Sequence, residues 1–504
     1  MKTAVLADLH LTDNFNTVKL PVLDWALQEA KLRKCDHLCC IGDLTAQGSE
    51  AQTAEILKRL NACSIPYFST PGNAELRIYP DGRTADRFDV KPPSDVPVIL
   101  IDTAGNEPSQ EELARLAALP DQAGFLLATH APPRQWSSSA QEILAQARRR
   151  GAVSLVMAGH SHHDEAEILR GLDPDKASGG PPMFAVLERL ENGTWTRNDV
   201  VMPGVDPSEW CAGERESLRR DLGFTTMWES VSALEFAARH QVRNVELRMG
   251  TDEYSGDLVR AIGKWRNCGG DLLSLHLPDL KLSDDDGTLQ HYTELALKLG
   301  CGRVTLHVPR VTAAGFASVR EQLLDKFGRI LRPLLDHHVM IGIENLHTKA
   351  GENTFETRNF GCTIQEYRQW ILLLREKFSS DLIGFHLDIG HCRNNAPISG
   401  RENLSDWYCA MGGLVNGWHL HQVAYHDGKF TNHTPLTGWY DKLISLGGLF
   451  MALRAGQLNH APMFLESRTW EGNRQAFLKL NGLLKLNQSK GVSGTSQVGI
   501  VRSF

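Results

Sequence analysis

The sequence predicts an α/β protein with two domains, a layered α/β domain followed by a (β/α)₈ barrel. Its 504 residues exceed what one ordinary hydrophobic core accommodates, so more than one domain is expected. Short apolar runs alternate with helical patterns throughout the chain, which is typical of α/β proteins. The rhythm changes near Gly223, where a second series of eight apolar runs begins.

The N-terminal half contains five apolar runs that predict strands, each followed by polar or glycine residues. They span residues 5–7, 38–41, 98–101, 125–128 and 155–158, and residues 23–34 and 52–60 have helical spacing. In such a domain the functional residues follow the carboxyl ends of the strands. Residues 171–182, rich in Gly, Pro and Asp, predict a surface loop, and residues 203–207 predict a linker.

The C-terminal half contains eight apolar runs, most of them separated by helical patterns. The runs are 224–227, 242–249, 272–278, 304–309, 339–344, 383–389, 418–423 and 462–466. Eight strands alternating with helices over about 250 residues predict a barrel. The predicted boundaries are 1–203 for the first domain, 204–221 for the linker, 222–486 for the barrel and 487–504 for a flexible tail.

Composition predicts a soluble cytoplasmic protein. Hydrophobic residues make up 42% and charged residues 22% of the chain, and the net charge of −7 gives no overall basic footprint for nucleic acid. No signal-peptide pattern precedes the first apolar run, and no run reaches the roughly 18 residues that span a bilayer, so no membrane partner is expected. The ten cysteines lack zinc-type pairing and predict free thiols in a reducing compartment. The oligomeric state is left open.

A first set of metal-ligand residue types follows the strands of the N-terminal half. Because residues i and i+2 share a face of a strand, Asp8 and His10 point the same way. Asp43 follows the second strand, where its carboxylate could bridge two cations. The set is completed by an amide and three imidazoles, at Asn73, His130, His160 and His162. Mixed nitrogen and oxygen ligands favour Mn²⁺, Fe²⁺ or Zn²⁺, and two such ions could polarise a phosphoryl group and activate water.

These residues resemble the calcineurin-like metallophosphoesterases over roughly residues 1–200. The blocks that carry the resemblance are Asp8-Leu-His10, Gly42-Asp43, Gly72-Asn73-Ala74-Glu75, His130 and Gly159-His160-Ser161-His162. The resemblance implies an αββα-type sandwich and a phosphatase with two metals. One metal would take Asp8, His10, Asp43 and His162, and the other would take Asp43, Asn73, His130 and His160.

One position departs from the family pattern. Ala74 stands where the family has a histidine that usually contacts the phosphate or the leaving oxygen. Alanine can neither donate nor accept a proton, so protonation must come from elsewhere or the leaving group must need little help. Arg77 and His163 are the candidate partial substitutes, and a metal-binding domain with weak catalysis remains an alternative.

A second set lies at the ends of the predicted barrel strands. Its members are His276, His307, Glu344, Asp388, His419 and Glu466, and His391 follows three residues after Asp388. In a (β/α)₈ barrel these strand ends converge on the active-site mouth. Carboxylates so close together would repel each other without a cation, so a metal is the economical explanation. From the loop, His391 could reach a neighbouring ion or a substrate oxygen.

Residues 222–485 resemble the xylose isomerase-like barrels, also called the AP endonuclease 2 superfamily. The motifs are Val245-Glu246-Leu247, Leu275-His276, Leu306-His307, Ile343-Glu344-Asn345, Asp388-Ile-Gly-His391, His419-Leu420 and Phe464-Leu465-Glu466. Two branches of the superfamily compete. The sugar isomerases and epimerases imply one divalent metal on Glu344, Asp388, His419 and Glu466, with Glu344 or Glu466 moving the proton.

The endonuclease IV branch implies three zinc ions. Its additional ligands would match His276, His307, His391 and His433. That family has an aspartate two residues before the last histidine, where this chain has Thr431, so the third site is short of a ligand unless water or Asp427 substitutes. The barrel is thus expected to hold one to three ions, Mn²⁺ or Zn²⁺.

We therefore predict a bifunctional enzyme that dephosphorylates a small phosphorylated substrate and isomerises or epimerises a sugar. The acidic run at Asp284, Asp285 and Asp286 would repel a phosphate backbone if it faced one, although a solvated turn is the simpler interpretation. The mouth also lacks a basic, aromatic-interleaved segment, so nucleic acid is possible but not favoured. Two alternatives stay open: DNA repair by apurinic-site cleavage, and a weak phosphoesterase that serves as a scaffold for the barrel.

Overall fold

The computed structural model describes residues 1–349, 351–393, 403–426, 429–441 and 443–485. The chain divides into two compact units. The first comprises Met1–Asp206 and Ser445–Met451, and the second comprises Pro207–Ile444 and the described residues from Ala452 onward. The predicted tail at 487–504 lies outside the described residues, and the predicted domain boundaries stay predictions. Within the described ranges no helix is long and apolar enough to cross a membrane.

Within Met1–Asp206, all of which the structure describes, the first unit contains eight strands and four α-helices. The strands are β1 (Lys2–Leu6), β2 (His37–Ile41), β3 (Tyr67–Thr70), β4 (Val98–Ile101), β5 (Phe125–Thr129), β6 (Val153–Ala158), β7 (Met183–Arg189) and β8 (Trp195–Val201). The helices are α1 (Lys19–Leu32), α2 (Glu50–Ala62), α3 (Gln110–Ala117) and α4 (Ser138–Arg149). The five predicted strands correspond to β1, β2, β4, β5 and β6, whereas β3, β7 and β8 were not predicted.

These strands form two sheets that share a core. One sheet has the order β3-β2-β1-β7-β8 and the other is the parallel sheet β4-β5-β6. Val5 and Phe68 of the first sheet cluster with Leu100 and Met157 of the second, so the sheets pack face to face. Other apolar clusters join α1 and α2 to the first sheet, and α3 and α4 to the second. Helices therefore cover the outer faces of both sheets.

Several helices begin where a hydroxyl side chain accepts a backbone N–H of the first turn. Ser49, Ser109 and Ser137 do so at the starts of α2, α3 and α4. Such an N-cap satisfies one of the donors that a helix leaves unpaired at its start. The same motif recurs at Ser255 and Thr363 in the second unit.

Residues 171–182 form a loop, as predicted, but the prediction that this loop lies at the surface is wrong, because most of the segment is buried. Leu172 donates its backbone N–H to Ala7 O at 3.0 Å, which ties the segment to the end of β1. Asp173 is fully buried and accepts from Lys19 Nζ at 2.9 Å, while the same ammonium donates to His10 O at 3.1 Å. Polar composition did not imply exposure here, since the charges of the segment are neutralised by a buried partner.

The elements from Pro207 onward belong to the second unit, except for the helix Gly447–Arg454, most of which lies in the first-unit segment Ser445–Met451. The strands of the second unit are β9 (Leu222–Thr225), β10 (Asn244–Leu247), β11 (Leu272–His276), β12 (Arg303–His307), β13 (Met340–Glu344), β14 (Ile383–Asp388), β15 (Val415–Leu420), β16 (Gln422–His426), β17 (Lys429–Thr434) and β18 (Met463–Leu465). The helices from here to the end of the described chain are α5 (Ala212–Asp221), α6 (Ser230–His240), α7 (Gly256–Asn267), α8 (Gly287–Lys298), α9 (Phe316–Asp336), α10 (Ile364–Phe378), α11 (Leu404–Met411), α12 (Gly447–Arg454) and α13 (Trp470–Lys485).

Eight of these strands close into a parallel barrel, as predicted, in the order β10-β11-β12-β13-β14-β15-β18-β9. The register sets metal-ligand residue types side by side at the carboxyl ends: His307 pairs with Glu344, and Asp388 pairs with His419. The strands β16 and β17 form a separate antiparallel hairpin that follows β15. The barrel register thus gathers chemistry-bearing side chains at one end.

Candidate functional site

The seven predicted ligands of the first unit lie together at the carboxyl ends of its strands. In one half of the cluster, Asn73 Oδ1 lies 3.1 Å from His130 Nε2 and 3.0 Å from His160 Nδ1. The two imidazole nitrogens are 3.1 Å apart. The loops after β3, β5 and β6 therefore supply three donor atoms to one small volume.

The other half of the cluster is joined to the first through Asp43. His10 Nε2 lies 3.2 Å from His162 Nε2 and 3.6 Å from Asp43 Oδ2. Asp43 Oδ1 lies 3.4 Å from His130 Nε2, on the other side. Asp8 groups with His10 and His162 within coordination range. The two carboxylate oxygens of Asp43 thus face the two halves separately, as a bridging ligand must.

Hydrogen bonding outside the cluster indicates that a cation fits inside it. His130 Nδ1 lies 3.0 Å from Ile41 O, where it can only donate. In the neutral ring Nε2 is then an acceptor, and it faces the acceptor oxygens of Asn73 and Asp43. A metal cation at this point would take the place of the Nε2 proton and satisfy the three converging acceptor atoms.

The electrostatics of the cluster follow from burial and from Asp43. Burial lowers the pKa of His10 and His162 well below the ordinary value, so both rings are neutral lone-pair donors. Burial also opposes charge on His130, but the Asp43 carboxylate raises the pKa of that ring to about 9. Burial raises the pKa of the Asp8 carboxyl. These opposed directions are typical of a site arranged around a positive charge.

The backbone at five of the seven ligands is left-handed. The φ angles are 54° at Asp8, 49° at His10, 51° at Asp43, 69° at His160 and 54° at His162. Non-glycine residues rarely adopt this conformation, which costs on the order of 1–3 kcal/mol each and persists only where the surroundings impose it. Such clustering of strain is typical of functional sites.

Glu75, which the sequence analysis left without a role, fastens two of the ligand loops together. Its buried carboxylate accepts from Asp43 N at 2.9 Å and Gly72 N at 2.8 Å, and also from the N–H and hydroxyl of Thr45. Ala74 is fully buried and donates its N–H to Asp43 Oδ1 at 2.7 Å. The motif therefore positions Asp43 through its backbone while presenting only a methyl group at position 74.

The two candidate substitutes for the missing histidine differ in availability. Arg77 is exposed and donates to Ala46 O at 2.9 Å, and its charge contributes to the lowered pKa of Asp43. Both ring nitrogens of His163 are engaged, with Ser161 O at 3.0 Å and Glu165 Oε1 at 2.7 Å. Arg77 is the better placed of the two, and its catalytic role stays a prediction.

In the barrel, His276 and His307 direct their Nε2 atoms at the same oxygen of Glu344. The distances to Glu344 Oε2 are 3.1 Å and 3.4 Å. His276 Nδ1 lies 2.9 Å from Leu277 O, and His307 Nδ1 lies 2.9 Å from Asp279 Oδ1. His276 Nδ1 faces a carbonyl oxygen and His307 Nδ1 faces a carboxylate, so both rings turn Nε2 toward Glu344, where a metal cation would take the place of the Nε2 protons.

A second group of converging ligand atoms in the barrel surrounds His419. Its Nε2 donates to Glu246 Oε1 at 2.6 Å, so in the neutral ring Nδ1 carries the lone pair. That Nδ1 lies 3.3 Å from Glu344 Oε1, 3.2 Å from Glu466 Oε2 and 4.0 Å from Asp388 Oδ2. Glu344 therefore directs Oε2 toward His276 and His307, and Oε1 toward His419. The four ligands predicted for a single metal are assembled around this nitrogen.

The carboxylates of this centre stay ionised despite complete burial. Burial opposes their charge, but the imidazoles of His307 and His419 hold the pKa of Glu344 well below its usual range. His419, together with the guanidinium of Arg248, does the same for the pKa of Glu466, which Arg248 contacts directly. Ionised carboxylates are the state that metal ligation requires.

Glu246 holds His419 in this orientation, a role that the sequence analysis did not assign. Its second oxygen accepts the hydroxyls of Ser274 at 2.8 Å and Thr305 at 2.5 Å, and lies 3.6 Å from Arg303 NH1. All these groups are buried. The carboxylate is therefore fixed on both sides, and with it the ring that it bonds.

The remaining histidines form a third group, with Asp388 at its edge. His391, His421 and His433 lie within coordination range of Asp388. His391 Nε2 is buried without a hydrogen-bond partner among the described residues. Thr431 has no carboxylate with which to bind a metal, as expected from the sequence. Asp427, the alternative ligand, lies outside the described residues.

His421 is tied to Asp388 by a hydrogen bond. Its Nδ1 lies 3.0 Å from the backbone N of His433 and 3.1 Å from Gln422 O, and its Nε2 faces a carboxylate. That Nε2 lies 2.9 Å from Asp388 Oδ1. A side chain on Gly390 would overlap the His421 ring, since an added Cβ would lie 1.9 Å from it. His421 thus positions Asp388, and the third group is the least complete of the three.

The acidic run after β11 is neutralised within the barrel unit. Asp286 lies 3.2 Å from Lys326 and 3.1 Å from Arg329, both on α9. Asp285 accepts the backbone N–H of Gly287 at 2.7 Å, at the start of α8. These carboxylates are occupied with helix contacts, in agreement with the simpler interpretation of a surface turn.

Comparison with known proteins supports the assignment of the first unit. Residues 1–164 match the family model described as calcineurin-like phosphoesterase, which confirms the resemblance predicted there. No curated protein matches the chain.

Solved structures similar to this chain include both kinds of domain. An endonuclease IV from Thermus thermophilus is 17% identical, with a TM-score of 0.37, over 52% of this chain and 98% of that one. A xylose isomerase domain protein from Alicyclobacillus acidocaldarius is 16% identical, with a TM-score of 0.36, over 52% and 98%. A dimetal phosphatase from Danio rerio is 16% identical, with a TM-score of 0.32, over 40% and 95%.

Proposed function

We propose that the chain is a metal-dependent enzyme with two separate hydrolytic centres, one in each unit, and that both act on phosphate esters. The observation that carries the proposal is the convergence of imidazole nitrogens and carboxylate oxygens on one small volume in each centre. In the first unit it is organised by Asp43, and in the barrel by Glu344. Each of these carboxylates has its two oxygens directed toward different ligand groups.

In the first unit, one divalent ion would be held by Asp8, His10, Asp43 and His162. The second would be held by Asp43, Asn73, His130 and His160. When bound, such ions polarise a phosphoryl oxygen and lower the pKa of coordinated water toward about 7. Mixed imidazole, amide and carboxylate donors suit Mn²⁺, Fe²⁺ or Zn²⁺.

The residues around this centre limit which esters it cleaves efficiently. Position 74 offers only a buried methyl group, so it cannot protonate a leaving oxygen. The exposed guanidinium of Arg77 can pair with phosphate oxygens but is not a proton donor at neutral pH. We therefore infer a preference for esters whose leaving groups are weak bases, such as phenolates or phosphates.

In the barrel, hydrolysis is favoured by the two histidines that a one-metal isomerase does not need as ligands. Leu277 O and Asp279 contact the Nδ1 atoms of His276 and His307, whose Nε2 atoms face Glu344. The two histidines would hold one ion with Glu344, and Asp388, His419, Glu466 and the other oxygen of Glu344 would hold a second. Mn²⁺ or Zn²⁺ suits this donor set, and two neighbouring ions are typical of phosphoester hydrolysis.

The sugar isomerase predicted from the sequence is the second candidate for the barrel. It is favoured by the complete four-ligand set around His419 Nδ1 and by the hydrogen bond that draws His421 away from a third metal. In that reaction Glu344 or Glu466 would carry the proton, and His391 would contact a substrate oxygen. Nucleic acid as a partner and a cytoplasmic location remain predictions.

The test separates the two centres with matched variants. Asp43→Asn should abolish hydrolysis of 4-nitrophenyl phosphate and leave the metal content of the barrel intact. Glu344→Gln should abolish hydrolysis of a phosphodiester, bis(4-nitrophenyl) phosphate, and leave the first activity intact. An exposed carboxylate, Glu235→Gln, is the control for general effects of charge removal.

Each rival function has a distinct outcome in the same experiment. Sugar interconversion that Glu344→Gln abolishes, with no diester hydrolysis, would favour the isomerase. Incision of an abasic-site duplex that depends on Glu344 would favour DNA repair. If the wild-type protein binds metal at Asp43 but hydrolyses no aryl phosphate, the first unit serves as a scaffold for the barrel.

A further inference from the structure

A short segment from the second half of the sequence belongs to the first unit. Ser445–Met451 lies between β17 and β18 in the chain, yet it groups with Met1–Asp206 rather than with the barrel strands on either side of it. Ser445 to Phe450 are buried, and Met451 packs against the apolar cluster that joins α1 to the first sheet. The first unit is therefore completed by residues that are far away in sequence.

Two backbone N–H groups of this segment donate to a loop of the same unit, residues 171–178. Ser445 N donates to Asp175 O at 3.0 Å, and Gly448 N donates to Pro174 O at 3.1 Å. Gly448 lies in the first turn of α12, where the N–H groups have no partner inside the helix. Buried carbonyl oxygens also require partners, so these two bonds satisfy the backbone of both the segment and the loop.

The loop at residues 171–178 also holds the backbone at two metal-ligand residues. Leu172 N donates to Ala7 O at 3.0 Å, in the peptide group that precedes Asp8. Ser178 N donates to His162 O at 2.7 Å. The loop therefore lies between the segment and the first metal centre, and it bonds directly to both.

A third metal-ligand residue is reached through a buried ammonium group. Lys19 Nζ donates to Asp173 Oδ2 at 2.9 Å and to His10 O at 3.1 Å. Asp175 N donates to Asp173 Oδ1 at 2.9 Å. Asp175, whose carbonyl accepts from the segment, thus also fixes the carboxylate that orients Lys19. All four of these residues are buried.

The three ligands that the loop supports are among those with a strained backbone. The φ angles of Asp8, His10 and His162 are 54°, 49° and 54°. Side chains other than glycine keep this conformation only where the surroundings impose it. Bonds to the peptide groups of these residues impose the conformation, and the loop supplies one such bond at each of them, directly or through Lys19.

We propose that the segment Ser445–Met451 is a positioning element of the first metal centre. Its two N–H groups fix the loop at residues 174 and 175, and the loop fixes Asp8, His10 and His162, three of the four residues that would hold one ion. This inference rests on the metal centre proposed at Asp43 and is independent of the reaction carried out there. It adds that this centre requires a segment from the barrel half of the sequence.

The experiment deletes each N–H donor and compares the result with a variant that keeps it. Ser445→Pro and Gly448→Pro each remove one donor, whereas Ser445→Ala and Gly448→Ala retain it and are the matched controls. All four are made in the full chain carrying Glu344→Gln, so that the shared ligand of the barrel centre is absent. Binding of Mn²⁺ is measured by competition with a chromophoric chelator, and the first centre is identified as the binding that Asp43→Asn removes.

The expected effect is a loss of metal affinity in the proline variants alone. The Kd for Mn²⁺ at the first centre should rise about tenfold in each proline variant, the lower end of the range for loss of support behind a ligand. Each alanine variant should restore the parental Kd. If a proline variant lowers the Tm of the metal-free protein but binds Mn²⁺ as tightly as its alanine control, the segment only stabilises the unit, and the proposal is overturned.

Hydrogen exchange gives a second measurement that does not require a proline variant to fold. Because coupling between two parts of a protein is reciprocal, ligands that the segment positions must order the segment when they bind metal. Mn²⁺ should slow exchange in peptides that cover residues 445–451 about tenfold, and Asp43→Asn should abolish this protection. Exchange that Mn²⁺ leaves unchanged would contradict the proposal.

Failure of the metal centre itself has a different signature. In that case titration with Mn²⁺ would give the same result for the parental protein and for Asp43→Asn. If Asp43→Asn removes a site that both proline variants retain with parental affinity, the metal centre stands and only the positioning role of the segment is refuted.

Discussion

Replacement of Glu246 by glutamine tests whether the tautomer of His419 organises the barrel centre. In the native site the carboxylate accepts the His419 Nε2 proton at 2.6 Å, which leaves Nδ1 free to ligate. Its other oxygen accepts from Ser274 and Thr305 and lies 3.6 Å from Arg303. The change keeps the shape of the side chain and removes its charge, so the hydrogen bonds become weaker while packing is retained.

These contacts predict two separate effects, a loss of metal affinity and a loss of stability. Loss of an outer carboxylate behind a ligating histidine typically costs 10–100-fold in metal affinity, so a drop of about 30-fold is expected. Arg303 is fully buried and loses its only nearby carboxylate among the described residues, which costs about 3 kcal/mol, at the lower end because Thr305 and Asn416 still accept from it. For a unit of this size that corresponds to a fall in Tm of about 6–12 °C.

The assay measures both quantities on the same preparation. Metal affinity is obtained by competition with a chromophoric chelator in an Asp43→Asn background, and stability by thermal unfolding of the metal-free protein. Ser274→Ala removes one hydroxyl from Glu246 and serves as the comparison. It should cost about 1 kcal/mol and leave the metal affinity nearly unchanged, because the charge behind His419 remains.

The reasoning would be refuted by one specific combination. If Glu246→Gln lowers Tm but binds metal as tightly as wild type, Glu246 serves only as the counter-ion of Arg303. The orientation of His419 would then come from elsewhere, and its assignment as an Nδ1 ligand would lose its support.

Three further predictions concern other parts of the two centres. Ala74→His should accelerate cleavage of alkyl phosphates by about 10²-fold and aryl phosphates far less, because only poor leaving groups need the added acid; equal gains on both would contradict this. Asp279→Asn should weaken metal binding by about tenfold, measured by chelator competition, since it loosens His307; unchanged affinity would contradict the role of that carboxylate. Lys19→Met should destabilise the first unit by about 3–5 kcal/mol in denaturant titration, whereas the exposed Lys31→Met should change it by less than about 0.5 kcal/mol; equal effects would refute the buried ion pair.

The proximity of most candidate ligands could be predicted because their spacing follows from backbone geometry. Side chains that end parallel strands must meet at the same edge of a sheet or the same mouth of a barrel. His307 and Glu344 are therefore neighbours by register, as are Asp388 and His419. Sequence order alone carries this information, since each such residue interrupts an apolar run.

The residues behind the ligands could not be predicted in the same way. Glu246 stands within a strand and Asp279 follows a proline, and nothing in their spacing indicates which imidazole they contact. Their roles depend on how packing turns a ring, which periodicity does not encode. The available signal for Glu246 was its charge between two apolar residues in a buried strand, which requires a buried partner.

The main error of prediction was to place a buried polar segment at the surface, and its cause is physical. Residues 171–182 have the composition of a surface turn, yet Asp173 is buried because Lys19, far away in sequence, supplies the opposite charge.

The central claim is that each unit holds its own metal cluster, built on Asp43 in the first and on Glu344 in the barrel. Anomalous diffraction from crystals saturated with Mn²⁺ or Zn²⁺ tests it most directly. We predict two peaks bridged by Asp43 and two peaks sharing Glu344, with His276 and His307 on one of the latter. A barrel with one peak, on Glu344, Asp388, His419 and Glu466 alone, would contradict the hydrolytic assignment, and no peak at Asp43 would contradict the claim itself.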